Sequence, residues 1–296
     1  MSPLFVGPAN STNKILGNLS ADPTINNAEG DMYFNTTENK LKTYNGSAWE
    51  TVSETRVVTN GLVSWFDPRR FGSLSNGSTA SPNPAGSSNA SYKLYTDGTA
   101  SFVSGTYNQA IEASGSDKVA FWTEGTDVTA LDNVANFTFE LWVYVGIQDI
   151  NNWGFLIGKS RFWGANDAGI FINSDGAHWG AHSSSVPMSV ADIQPNGWHH
   201  VVFVRNLADA NSRKFYVDNS VYIQDNVGDN DSNHVLNNDC ALVVGGSSNG
   251  NTNSFSNPSY MPGSGFKYGH ARFYNTALTA TDIAQNWNAE RSIYGL

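Results

Sequence analysis

A single cysteine, Cys240, stands in 296 residues, so no disulfide can form within the chain. Charge is scarce as well: 14% of the residues are Asp, Glu, Lys or Arg, and the 16 basic side chains nowhere cluster. Against them stand 26 acidic residues, and the resulting net charge of −10 repels phosphate backbones. Nucleic-acid binding is excluded as the main role. No apolar stretch approaches the ~20 residues of a membrane-spanning helix, so no membrane insertion is expected. The opening residues lack the basic start and long apolar core of a secretion signal. With no disulfides, assembly in a cytoplasm is expected. The Glu, Lys and Leu that build surface helices are sparse, which argues against a helical bundle.

Present instead are 12% aromatic residues, 28 glycines and many Asn and Ser. That mixture suits short strands joined by tight polar turns. Residues 1–28 are rich in Asn, Ser and Pro and read as an extended arm. In residues 29–55, Met32–Phe34 and Lys40–Tyr44 read as strands across a polar turn, and Asn45-Gly46 marks a second turn. Hairpins this small need a neighbour, either the rest of the chain or copies of themselves.

The main domain is placed at 56–296, with a long early loop at 72–91. Strand-like runs follow at 100–103, 118–122, 137–145, 153–158, 169–173, 198–205, 213–218, 221–224, 241–244 and 267–274. In FTFELWVYV (137–145), Phe137, Phe139, Leu141, Val143 and Val145 share one face. Thr138, Glu140, Trp142 and Tyr144 share the other, a mixture expected where a strand lines a shallow concave sheet. Many such strands imply an all-β, two-sheet antiparallel jelly-roll sandwich. A single helix is expected near the end, capped by Thr279 or Thr281, with Ile283 and Trp287 on one face. Cys240 opens an apolar run, CALVV (240–244), and reads as a buried structural thiol.

The segments FTFELWV (137–143), WHHVVFVR (198–205), KFYVD (214–218) and ARFYNTALTATDI (271–283), in this order, resemble the concanavalin A-like, laminin-G-like jelly roll. The segment GDMYFNTTENKLKTYNGSAW (30–49) resembles a module of bacteriophage fibre and virion proteins. Together the resemblances imply a virion structural protein, a tail fibre or head decoration displayed on the particle surface. They imply that its N-terminal region meets other virion proteins, that it forms a homo-oligomer, a trimer above all, and that its lectin-like domain binds host-surface glycan. A purely architectural decoration is the alternative.

An enzyme is not expected. Glycosidases of this superfamily carry a Glu-x-Asp-x-x-Glu strand, whereas here Glu140 is followed by Leu141, Trp142, Val143, Tyr144 and Val145. Glu140 therefore reads as a hydrogen-bonding residue of the sheet. His199 and His200 point to opposite faces of a strand and cannot readily share a metal. His178 and His182 fall in a Gly-rich strand or turn, so zinc is not expected either. Asp225, Asp229, Asp231 and Asp239 form a loop that could hold calcium, as relatives of this fold do at the sandwich rim, or could be a solvated acidic turn. Trp153, Trp163 and Trp179, each followed by Gly, are the candidates for a sugar-stacking platform, with burial in the core as the other reading. Trp65, Trp198 and Trp287 read as core.

Overall fold

The computed structural model describes residues 15–24, 27–28, 31–37, 40–44, 46–51, 57–88, 90–106, 109–115, 117–123, 128–146, 154–160, 168–173, 176–181, 193, 195–225, 236, 241–246, 261–262 and 264–296. The chain divides into two compact units, Met1–Arg56 and Val57–Leu296.

The first unit is a four-stranded sheet in the order β1 (Ile15–Leu19), β2 (Met32–Asn35), β3 (Lys40–Tyr44) and β4 (Trp49–Thr51). Residues 15–19, expected within an extended arm, thus pair with β2, in parallel. The two expected strands are β2 and β3, joined in antiparallel register. Gly46, with φ 91°, adopts the left-handed conformation that the turn before β4 requires. Tyr33 is buried, with Trp49 edge-on against it at 4.9 Å. The Tyr33 hydroxyl donates to Asp22, and Lys42 Nζ lies 2.8 Å from the same carboxylate.

The second unit contains β5 (Leu62–Phe66), β6 (Thr79–Ala80), β7 (Tyr92–Thr96), β8 (Ala100–Phe102), β9 (Ile111–Ala113), β10 (Val119–Thr123) and β11 (Phe137–Val145). It continues with β12 (Gly154–Ser160), β13 (Ala168–Asn173), β14 (Gly176–Ala181), β15 (Gly197–Arg205), β16 (Arg213–Val217), β17 (Ser220–Asp225), β18 (Ala241–Val244) and β19 (Lys267–Tyr274). The helix α1 (Ala280–Glu290) follows. One sheet runs β14-β13-β12-β18-β10-β7-β6; the other runs β17-β16-β15-β11-β19-β9-β8, with β5 also paired to β19. All pairings within these two sheets are antiparallel, giving the expected sandwich.

Period-two alternation builds the interior. Phe137, Phe139, Leu141, Val143 and Val145 of β11 meet Val201, Phe203, Phe215, Phe273 and the apolar residues of the facing sheet, including Phe121, Leu156, Ile170 and Leu242. Phe66 and Phe121 bring rings from the two sheets to 4.5 Å.

The loop expected over 72–91 holds the short strand β6, and β7, whose YKLYT sequence alternates around Leu94, follows it as a strand not expected from the sequence. The helix begins at Thr279, which forms a capping box with Asp282.

Candidate functional site

The outward face of the eight-stranded sheet is organised in cross-strand rows. Thr138 pairs with Val204 and Tyr274; Glu140 pairs with Val202 and Arg272; Trp142 pairs with His200; Tyr144 pairs with Trp198 and Lys267. Three of these rows are roofed by α1, which corrects the expectation of an open concave sheet. Thr138, Glu140 and Trp142 are fully buried. The physical reason is that the amphipathic C-terminal helix has its own apolar side to cover, and it packs Ile283 against Val202, Val204, Tyr216 and Tyr274.

Beneath the helix lies a buried ionic network. Glu140 accepts from His200 Nε2 at 2.7 Å, Arg272 Nη1 at 3.0 Å and Asn286 Nδ2 at 2.8 Å. Asn286 also accepts from the Val58 amide at 2.7 Å, tying the helix to the start of the unit. Glu290 receives Arg272 and lies 2.6 Å from His270 Nδ1, while His270 Nε2 lies 3.5 Å from Asp67 Oδ1. Asp67 is held bidentately by Arg69 at 2.9 Å on both oxygens.

Burial would raise the Glu290 carboxyl, but the Arg272 and His270 charges outweigh it and bring it down to about 2. Burial alone would lower His270; Glu290 and Asp67 reverse this and hold its imidazole above the ordinary histidine value. The carboxylates Asp67, Glu140 and Glu290 are thus matched by Arg69, Arg272 and His270. These acids are buried, ionised and hydrogen-bonded, so they bind structure together and have no access to a glycosidic bond.

The fourth row is different. Glu112 on β9 pairs with Lys267 on β19, Lys267 with Tyr144 on β11, and Tyr144 with Trp198 on β15. Four adjacent strands thus present one outward row about 14 Å long. Each member alternates with residues of the interior, such as Ile111, Val143, Val145 and Tyr268. Glu112 Oε2 lies 2.7 Å from Lys267 Nζ, with the two side chains 28% and 26% exposed. Lys267 sits over the Tyr144 ring at 5.0 Å, and Tyr144 meets Trp198 at 76° and 5.8 Å. Trp198 is half-buried, backed by Tyr294 at 4.6 Å. Tyr294 stacks on Trp142 at 4.5 Å, and Trp287 on Trp142 at 5.2 Å. The Tyr294 hydroxyl accepts from the His270 amide at 3.0 Å and so fixes the backing ring. Trp198, read as core, is half-buried and packs against the buried cluster of Val103, Ala110, Trp142 and Tyr294, near the start of β15 and on the outward face. Trp65 and Trp287 are partly buried on the same outward face and are not part of the interior between the sheets.

The residues singled out from sequence stand as follows. Trp153 and Trp163 lie outside the described residues. The Trp179 backbone belongs to β14, in register with Ile170, and its side chain lies outside the described residues. Asp225 ends β17 opposite Arg213; its side chain, and Asp229, Asp231 and Asp239 entirely, lie outside them, as does Cys240. Among the described residues, no group of three or more His, Cys, Asp or Glu could hold a metal ion. His199 turns to Asp218 (Nδ1 to Oδ2 2.8 Å) while His200 turns to Glu140, so the two face apart as the strand period requires.

The model of the concanavalin A-like lectin/glucanases superfamily matches residues 114–284, more than half of the chain. The chain belongs to this superfamily. Among solved structures, Trypanosoma rangeli sialidase in complex with sialic acid is similar at TM-score 0.53 and 14% identity, over 80% of this chain and 34% of that one. The receptor-binding domain of botulinum neurotoxin mosaic serotype C/D is similar at TM-score 0.50 and 10% identity, over 79% of this chain and 52% of that one. A structure of botulinum neurotoxin type C, whose cell entry depends on two ganglioside molecules, is similar at TM-score 0.51 and 12% identity, over 78% and 52%. The superfamily member described here therefore spans about a third of the sialidase and about half of the toxin chains, and at these identities the likeness is one of fold. No curated protein sequence matches the chain.

Proposed function

We propose that this chain is a non-enzymatic virion structural protein whose lectin-like domain binds host-surface glycan. The observation that carries the sugar reading is the open row: a half-buried tryptophan, packed against Tyr294, beside a tyrosine, an ammonium and a carboxylate. A ring face takes the C–H face of a sugar while the charged pair takes its hydroxyls. The similar sialidase and toxin chains support the reading through the fold they share, with sialic acid and ganglioside as the ligands of those proteins.

The virion half of the proposal rests on the likeness of residues 30–49 to fibre modules. In this reading the first unit attaches the domain to neighbouring virion proteins and assembles a trimer on the particle surface. Calcium at the acidic loop that follows Asp225 remains part of it.

The test is a glycan array probed with the full chain, with and without calcium, beside a solution mass. Specific binding by a trimer is the expected result. A chain that binds no glycan is an architectural decoration instead, and a monomeric mass at micromolar concentration removes the trimer.

A further inference from the structure

The open row is electrically closed, and this says which sugars it takes. Its one cation, Lys267, is already paired with Glu112 at 2.7 Å and lies over the Tyr144 ring. An incoming carboxylate or sulfate would have to displace Glu112 from Lys267 and leave one anion without its partner. It would also approach a chain whose net charge is −10. A neutral hydroxyl meets no such penalty: it donates to Glu112 and accepts from Lys267 while their ion pair persists. With Lys267 over Tyr144, the stacking surface that remains is the part of half-buried Trp198 that Tyr294 and Tyr144 leave uncovered.

We infer that the Glu112–Lys267–Tyr144–Trp198 row binds a neutral pyranose and discriminates against acidic sugars. The inference rests on the sugar-binding reading above and sharpens it. It also runs against the fold likeness, since the similar sialidase is bound to sialic acid.

The experiment compares the full chain with its Trp198→Ala and Glu112→Gln variants on N-acetyllactosamine-type oligosaccharides with and without terminal sialic acid. The native chain should bind the neutral forms and bind the sialylated ones more weakly. Trp198→Ala should weaken binding about tenfold, the loss of one ring-stacking contact. Glu112→Gln frees the ammonium and should shift preference toward the sialylated forms, a change of selectivity that mere loss of structure would not produce. Native binding that requires sialic acid overturns the inference and leaves the sugar reading standing. Sugar binding unchanged in Trp198→Ala likewise overturns the inference by placing the site elsewhere. No binding of any sugar sinks the sugar reading and the inference together.

Discussion

The roofed rows and the open row lie on the same face of the same sheet, yet they spend similar chemistry in opposite ways. Under α1, Glu140 and Glu290 share Arg272 in a buried setting, with the Arg272 guanidinium over the Trp65 ring and Trp142 stacked on Trp287. At the rim, Glu112 and Lys267 pair in partial contact with water, and Trp198 keeps an outward part. A carboxylate–cation pair is therefore not diagnostic by itself. What separates architecture from a candidate recognition surface here is whether a helix lies above it.

The sharpest way to break this comparison is to remove the shared cation. Arg272→Met leaves Glu140 and Glu290 buried without it and should destabilise the chain by about 3–5 kcal/mol in denaturant unfolding. A loss near that of a surface substitution would mean that water enters the network and the roof is loose. Next in size is Asn286→Ala, which strands the Val58 amide, leaves Glu140 Oε2 with Tyr274 as its remaining donor, and should cost about 1–3 kcal/mol by the same assay.

Acidity separates the regions in a second way. Glu290 is held below its ordinary value of 4.5, so its contribution is fully present above that pH and is lost as pH falls toward about 2. His270 is held above its ordinary 6.5, so its contribution is present below that pH and fades as pH rises through its raised value. The unfolding temperature should therefore be highest between about pH 4.5 and 6.5, and Glu290→Gln should flatten the acid side. An acid limb unchanged in Glu290→Gln would place the acid-sensitive groups elsewhere. The smallest effect belongs to the rim. Trp198→Ala, at a half-buried position, should cost no more than about 1 kcal/mol of stability while weakening sugar binding. A larger loss would make Trp198 a structural residue first.

The sandwich was legible because the interior is written locally: FTFELWVYV alternates cleanly, and the apolar runs of β15, β18 and β19 lie where the sequence places them. Glu140 could be assigned to the sheet for the same local reason, the absence of the glucanase partners around it. The open row was not legible. Glu112, Tyr144, Trp198 and Lys267 belong to four strands, and only the register of β9, β19, β11 and β15 brings them into line. Trp198 does pack against a buried cluster, but its neighbours Val201, Val202, Phe203 and Val204 make the whole strand look interior and hide that it is half-buried near the strand start. The usable signal was Tyr144, the last outward residue of a strand whose outward face otherwise carries Thr138, Glu140 and Trp142.

The bond between the Val58 amide and Asn286 also has a mechanical meaning. Tension arriving through the preceding chain enters this domain at Val58, which packs with Leu278 and Ile283 beside α1, outside the interior between the sheets. The load passes first to Asn286 and then, through Glu140 and Tyr274, into the central strands β11 and β19. A pull on the chain ahead of Val58 would thus strain this polar seam first, with the sheets and the rim intact behind it.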